Sequence, residues 1–250
     1  MKESLYKLCI RLGDTSLILS HRLSELCSKG PYLEEDIAMT NIALDYMGQA
    51  ESWLKYAAEV QGEGKNEDDL AYKRKEKDFR NFLLVEQPNI DFATVITRQF
   101  FMDAFSYNYY TELAKSSDET ISALAAKSLK EVTYHLRHSS EWVIRLGQGT
   151  EESKTRMQSA IDELWIYVGE MLVDEDSDKA LAESGISVLP SSIEKAWDQT
   201  VNEIIERAEL VIPEQKSLIP GMNNGHHTEN LGYILADMQF LPTNYPDAKW

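Results

Sequence analysis

Cysteine is scarce in this chain, which has 250 residues and two cysteines, Cys9 and Cys27. They form no CxxC pair, and we interpret both as parts of one helix, about five turns apart, where they cannot bond to each other. A disulfide framework is therefore excluded, and a reducing compartment suits the chain. We expect a cytoplasmic location.

Basic residues are also few. The chain has 25 Lys and Arg against 42 Asp and Glu, which gives a formal net charge of −17 at pH 7. This balance argues against a nucleic-acid partner, because binding the phosphate backbone needs a cationic surface. It argues equally against docking on an anionic membrane surface. We expect neither nucleic acid nor membrane among the partners.

Long apolar runs are missing as well. No stretch approaches the roughly 18 apolar residues of a membrane span, and the N-terminal MKESLYKLCIRLGD lacks the pattern of a signal peptide. Disorder is disfavoured, because 43% of the residues are hydrophobic and 10% are aromatic. We therefore predict one acidic, folded domain over residues 1–250.

The apolar residues that are present recur with a helical period. In the first segment leucines follow one another in steps of three, four or seven, until Gly30 and Pro31 stop the helix. A second helix is predicted over residues 33–60. It is apolar on most sides, with Ile37 and Leu44 among its apolar residues, so we expect it to be central and buried.

Further helices are predicted after the polar loop GEGKNEDD. A charged helix over residues 71–87 should end at Pro88, and an aromatic helix capped by Asp91 should belong to the core or to an interface. Strand alternation is nowhere convincing, and no repeat or linker divides the chain. We predict an all-α, ferritin-like bundle of long antiparallel helices with additional C-terminal helices. The remaining predicted helices run from the capping box Ser116–Glu119 to Leu146, from Lys154 to Leu172, from the capping box Ser191–Glu194 onward and from Thr228 onward.

A census of motifs removes several kinds of chemistry. The sequence has no GxxxxGK[ST] phosphate loop, no GxGxxG behind a strand, no HExxH and no GxSxG. Long helical bundles can instead hold two metal ions between carboxylates and two Glu-x-x-His pairs. None of the five histidines has Asp or Glu three residues before it. Half of the imidazole ligands of such a centre therefore have no candidate.

An atypical metal site is still one interpretation of the polar residues. The segment KEVTYHLRHS places a carboxylate and two histidines on one helical face, but with i, i+4 spacing, and Gly48 stands where a histidine would follow the second-helix carboxylate. The alternative is a polar seam of hydrogen bonds and ion pairs across the bundle, which we favour. The candidates for the degenerate site are Asp45, Asp103, Glu131, His135 and His138.

Two other polar groups could bind ligands. His226 and His227 follow a glycine-rich turn and could hold a metal or a phosphate, although histidines of surface loops mostly do neither. The basic run from Lys73 to Arg80 could meet an anionic ligand or an acidic partner. A solvated helix face explains that run better.

Seven segments, in order along almost the whole chain, resemble one family: the C subunits of bacterial phenylacetyl-CoA ring epoxidases (phenylacetate-degradation protein C). Each segment is a weak motif, and their common order makes the resemblance specific. The segments are RLGD (11–14), LDYMGQA (44–50), LLVEQPN (83–89), RQFFMDA (98–104), KEVTYHLRHS (130–139), WVIRLGQGT (142–150) and HTENLGYILADMQFL (227–241).

The resemblance implies a ferritin-like subunit of a multicomponent monooxygenase. Such a complex uses O₂ and electrons from a separate reductase to epoxidise the aromatic ring of phenylacetyl-CoA in phenylacetate catabolism. Its di-iron centre and its binding site for the CoA thioester belong to the homologous catalytic subunit. This chain would be a non-catalytic structural subunit, without catalytic residues or a bound cofactor, that supports its sister among the further subunits.

The net charge agrees with that role, because a chain with a net charge of −17 repels the negatively charged phosphates of CoA. One residue departs from the family pattern: His138 adds an imidazole beside His135. The alternative is therefore a self-sufficient or metal-binding ferritin-like protein with an atypical di-metal site.

Overall fold

The computed structural model describes residues 1–214, 225–246 and 248. In these residues the regular elements are α-helices and short 3₁₀ turns, without a strand, which confirms the all-α, ferritin-like class. No helix in the described part is long and apolar enough to cross a membrane. The helices are α1 Lys2–Ser24, α2 Leu33–Gln61, α3 Glu67–Tyr72, α4 Leu83–Glu86, α5 Phe92–Leu113, α6 Glu119–Gly147, α7 Glu151–Leu164, α8 Asp176–Glu183, α9 Glu194–Arg207, α10 Glu229–Met238 and α11 Phe240–Asn244.

The described residues belong to two compact units, one within Met1–Pro88 and Pro220–Trp250 and the other within Asn89–Ile219. In the first unit α1 packs along α2, and in the second α5 packs along α6 with α7 and α9 against them. Because each long pair is joined by a short connection, each is an antiparallel helical hairpin. The single domain over residues 1–250 stays a prediction.

Helix α1 is buried all round along most of its length, as is α5 from Ala93 to Ser106. Every residue from Leu8 to Ser20 is buried, whichever side of the helix it occupies. Gly13 brings α2 close, since a Cβ at this position would lie 2.7 Å from Cδ2 of the buried Leu54. Cys9 is buried in α1, and Cys27 is exposed beyond the end of the helix, so the prediction that both share one helix was wrong.

Helix α2 is buried on one side, and the prediction that it is central was wrong. Met39, Tyr46 and Trp53 are at most 2% exposed, whereas Ile37 is 51% and Leu44 is 64% exposed. The apolar residues of α2 therefore form two faces, of which one packs within the chain. The period of the sequence could not separate the two faces, because both are apolar.

The charged helix predicted over residues 71–87 does not form. The chain instead passes from α3 through a 3₁₀ turn and an extended stretch to the single turn α4. Phe79 and Phe82 are buried in the extended stretch, and the backbone N–H of Arg80 donates to Asp14 over 2.8 Å. Side chains thus satisfy backbone groups that a helix would have paired.

In the second unit one helix start was predicted correctly and another was wrong. Asp91 caps α5 by accepting a hydrogen bond from the N–H of Thr94 over 2.8 Å. Helix α6 is capped by Asp118, which accepts from the N–H of Ile121 over 3.0 Å, and not by a box at Ser116. Ser116 donates its hydroxyl to a backbone carbonyl 70 residues away.

The later helices differ from the prediction in their bounds. Helix α7 begins behind the cap Thr150 and ends at Leu164, where 3₁₀ turns replace the rest of the segment predicted to reach residue 172. Ser191 does not cap α9, because its N–H and its hydroxyl both bond to Asp174 over 2.8 and 2.6 Å. Thr228 is the N-cap of α10, as predicted. Apart from Gly225, the predicted glycine-rich turn at residues 220–225 lies outside the described residues.

The aromatic residues of α5 form the core of the second unit. Phe100, Phe101, Phe105 and Tyr109 are at most 2% exposed. Trp197 of α9 packs with its ring centroid 6.1 Å from that of Phe101 and donates its indole N–H to the Phe101 carbonyl over 3.2 Å. The expectation that these aromatics belong to the core or an interface is confirmed.

Candidate functional site: buried carboxylates and histidines

The residues predicted for a degenerate metal site lie in both units. Asp45 belongs to α2 in the first unit, whereas Asp103 of α5 and Glu131, His135 and His138 of α6 belong to the second. Asp103 and His135 are completely buried, and the other three are partly exposed. The rings of His135 and His138 lie 6.3 and 6.2 Å from the ring of the neighbouring tyrosine.

Asp103 belongs to a polar seam between α5 and α6. Its Oδ1 accepts a hydrogen bond from Nε2 of Gln99 over 2.6 Å, and its Oδ2 accepts one from the hydroxyl of Ser139 over 2.8 Å. The same hydroxyl lies 3.0 Å from the carbonyl oxygen of His135. Ser139 thus links Asp103 to the backbone of His135. This arrangement is a polar seam of hydrogen bonds between two helices, the alternative favoured from the sequence.

Asp103 is engaged within the chain. Each of its carboxylate oxygens accepts a hydrogen bond from a neighbouring side chain and has a second lone pair. Across the part of the chain that the structure describes, no group of three or more His, Cys, Asp or Glu side chains is placed to hold a metal ion.

A second buried carboxylate, Glu86 in the first unit, was not predicted. It ends α4 with no exposed side-chain area. Its Oε1 accepts from Nδ2 of Asn81 over 2.9 Å and lies 2.6 Å from Nδ1 of His227. Its Oε2 accepts from the N–H and the hydroxyl of Thr228 over 2.8 and 2.7 Å. Four donor groups therefore converge on one buried carboxylate.

His227 is a buried link and not a surface histidine. Its side chain has no exposed area, and the prediction of a surface loop was wrong for this residue, although His226 is exposed. While Nδ1 faces Glu86, Nε2 lies 3.2 Å from the carbonyl oxygen of Phe79. Since both ring nitrogens already face oxygen atoms of the protein, His227 has a structural partner on each side.

Arg22 attaches the same cluster to α1. Its guanidinium donates to the backbone carbonyl of Glu86 through Nε over 3.0 Å and through Nη2 over 2.6 Å. The cluster of Arg22, Asn81, Glu86, His227 and Thr228, which we call the Glu86 cluster, therefore holds α1, α4 and the start of α10 together. A single Glu inside the apolar LLVEQ segment was the signal that could have revealed it.

A third buried carboxylate, Asp14, explains part of the basic run. Its side chain is completely buried, and both terminal nitrogens of Arg74 donate to it, Nη1 over 3.0 Å to Oδ2 and Nη2 to Oδ1. The guanidinium also lies 4.3 Å from the ring centroid of Phe79. The interpretation as a solvated face was therefore wrong for Arg74, which is 11% exposed, whereas Lys73 is 63% exposed.

His21 in α1 supplies a prediction for pH. Burial lowers the pKa of this imidazole, an effect that Glu25 partly offsets, and its Nε2 has no hydrogen-bond partner within the described residues. The folded chain then binds fewer protons than the unfolded chain, so stability falls as the pH drops below the unfolded value of about 6.5. We expect His21→Gln to flatten this fall in urea titrations between about pH 7 and 5.

The exposed His226 provides the matched control, and His21→Gln should change the slope of the unfolding free energy against pH more than His226→Gln does. If His21→Gln keeps the wild-type slope, the proton uptake of the unfolded chain arises elsewhere.

The fold and these sites define a class. The chain is an all-α protein with ferritin-like helical hairpins, whose buried carboxylates are held by hydrogen bonds and arginine. It belongs to the family described as "Phenylacetic acid catabolic protein", whose profile matches residues 1–250.

One known protein is similar to this chain over almost its whole length. The chain is 46% identical over 241 residues to the C subunit of the 1,2-phenylacetyl-CoA epoxidase from Escherichia coli (strain K12). The match covers 96% of this chain and 97% of that protein, so the similarity extends over both chains almost from end to end.

Proposed function

We propose that this chain is a non-catalytic structural subunit of a phenylacetyl-CoA epoxidase that acts in phenylacetate catabolism. Its similarity to the C subunit of such an enzyme supports the assignment to a multi-subunit complex. In that complex the homologous catalytic subunit holds the di-iron centre and the CoA thioester, and a reductase supplies electrons. This chain supports the fold of the catalytic subunit.

The observation that carries the non-catalytic role is the absence of Glu-x-x-His pairs, since none of the five histidines has Asp or Glu three residues before it. Asp103 is paired without a metal. This carboxylate lies in the middle of the buried helix α5, and both of its oxygens accept hydrogen bonds from Gln99 and Ser139. A buried carboxylate must be paired in some way, and here side chains of the chain itself meet that need. In α2, Gly48 offers no side chain to a metal three residues after Asp45.

The net charge supports placing the substrate on the catalytic subunit. At −17 the chain repels an anionic CoA ester at long range, and the steering of charged ligands follows such fields. The catalytic subunit is therefore better suited than this chain to bind the CoA phosphates.

The test compares the purified chain with the complex. The chain alone should contain far less than one iron per molecule and should not turn over phenylacetyl-CoA with O₂ and reductant, whereas the catalytic subunit should gain activity when the chain is added. Nearly two irons per isolated chain, or turnover without a partner, would contradict the proposal and favour the atypical di-metal site.

A variant of the seam adds a second measurement. Asp103→Asn keeps an oxygen for the Ser139 hydroxyl and removes the charge of a metal ligand. If the residue is structural, activity per assembled complex should stay at the wild-type level at low temperature. A loss of turnover in fully assembled complex would place Asp103 in the chemistry.

A further inference from the structure

The outward face of α2 carries an apolar stripe that no other described part of the chain covers. Leu33 is 71%, Ile37 51% and Leu44 64% exposed. At about 100° per residue, these three and Asn41 and Gly48 fall within an arc of about 80°, over a length of about 22 Å. We call these five residues the outer stripe of α2. Single exposed apolar side chains are ordinary, but a line of them indicates an interaction surface.

Gly48 makes one end of the stripe flat. A Cβ built at this position would meet no atom within 4 Å, so packing among the described residues does not require a glycine here. Glycine in a helix interior is destabilising relative to alanine. A glycine that this packing does not need, beside exposed Leu44, leaves room for a side chain of another molecule.

The charges of α2 indicate which kind of molecule binds the outer stripe. The outer stripe is uncharged. Its arc continues along α2 with Glu51, Lys55 and Glu59. Glu34 and Asp45 border it, so this side of the helix has a net negative charge. Two copies of this face would bring two net negative surfaces together, which is unfavourable. The occupant that complements this face is therefore a different chain. The acidic residues of α2 are Glu34, Glu35, Asp36, Asp45, Glu51 and Glu59.

We propose that the outer stripe of α2 is the surface on which the catalytic subunit docks. The matching surface of that subunit is an apolar helix edge bordered by Lys or Arg, with one side chain seated over Gly48. This inference rests on the proposed function and specifies where the contact lies. In such interfaces a few central apolar residues carry most of the binding energy, and flanking charges accelerate association.

The experiment measures binding of the chain to the purified catalytic subunit from the same organism. Leu44→Glu and Ile37→Glu place a charge in the stripe, at positions exposed enough that the chain should still fold. We expect each to weaken binding on the order of 30-fold or more. Val211→Glu is the matched control, because Val211 is 68% exposed and lies in the second unit. The affinity of this variant for the catalytic subunit should equal that of the wild-type chain.

Gly48→Leu separates binding from folding. The larger side chain has space around it in the chain and favours the helix, so the melting temperature should stay level or rise. The affinity for the catalytic subunit should nevertheless fall. A gain in stability together with a loss of binding would exclude misfolding as the cause and would support the stripe as the contact.

Three outcomes would overturn the proposal, and they differ from one another. Wild-type chain that does not bind the catalytic subunit refutes the proposed function itself. If the wild-type chain binds and the affinity of Leu44→Glu equals that of Val211→Glu, the outer stripe is not the contact, although the proposed function still stands. A self-associated chain that Leu44→Glu converts to monomers in sedimentation assigns the stripe to a second copy.

Discussion

Glu86→Ala is expected to lower the free energy of unfolding by about 3–5 kcal/mol, the usual cost of removing one partner from a buried charged cluster. The substitution leaves Asn81, His227 and Thr228 without the acceptor they share, in a site with no exposed side-chain area. Each buried donor that loses its partner carries its own desolvation penalty. Urea denaturation of the purified chain at neutral pH measures the change.

Two comparisons make this result specific to the Glu86 cluster. Glu141→Ala removes an exposed carboxylate from a surface pair with Arg137 and should cost less than about 1 kcal/mol. In a double-mutant cycle, Glu86→Ala and His227→Ala should cost less together than the sum of the single changes, because each removes the same contact. Additive losses, or a Glu86→Ala loss as small as the Glu141→Ala loss, would show that the cluster does not hold α10.

Arg74→Ala should also cost about 3–5 kcal/mol, because it leaves the buried Asp14 carboxylate without its guanidinium. After the substitution, the backbone N–H of Arg80 still donates to Asp14 over 2.8 Å, but the charge has no counterion. The contact with the ring of Phe79 is lost at the same time. Thermal and urea unfolding of the variant both report this loss.

The control for Arg74 is a surface arginine. Arg156 is 55% exposed and pairs with Glu152 and Asp91, so Arg156→Ala should leave the stability close to that of the wild type. Replacing both partners, as in Asp14→Leu with Arg74→Met, should recover much of the loss, since no buried charge is left unpaired. A double variant as unstable as Arg74→Ala would mean that packing, and not charge, dominates at this site.

The helical hairpins follow directly from the sequence, and the reasons are local. Apolar residues at three- and four-residue steps define α1, and Asp91 caps α5 with its own side chain, three residues from the N–H it accepts. The segment behind α3 was predicted wrongly because its charged residues suit a helix locally. Asp14, about 60 residues earlier, satisfies Arg74 and the N–H of Arg80 there, and a sequence window does not contain that contact.

The same limit applies to the polar sites. Asp103 could be placed on a helix from the sequence, but its partners could not, since Ser139 lies 36 residues away on α6. Glu86 and His227 are 141 residues apart and become neighbours only after folding. No sequence motif with a fixed spacing links these two residues, so the sequence does not show that they pair.

By itself, the sequence determined the all-α class, the missing Glu-x-x-His pairs and the charge of −17, because period, spacing and composition are properties of the chain. The tertiary structure decided which apolar face of α2 is buried and which carboxylates are paired. Burial and ion pairing depend on residues that are distant in the chain and close in space. For that reason α2, apolar on most sides in sequence, packs with one face and leaves the outer stripe exposed.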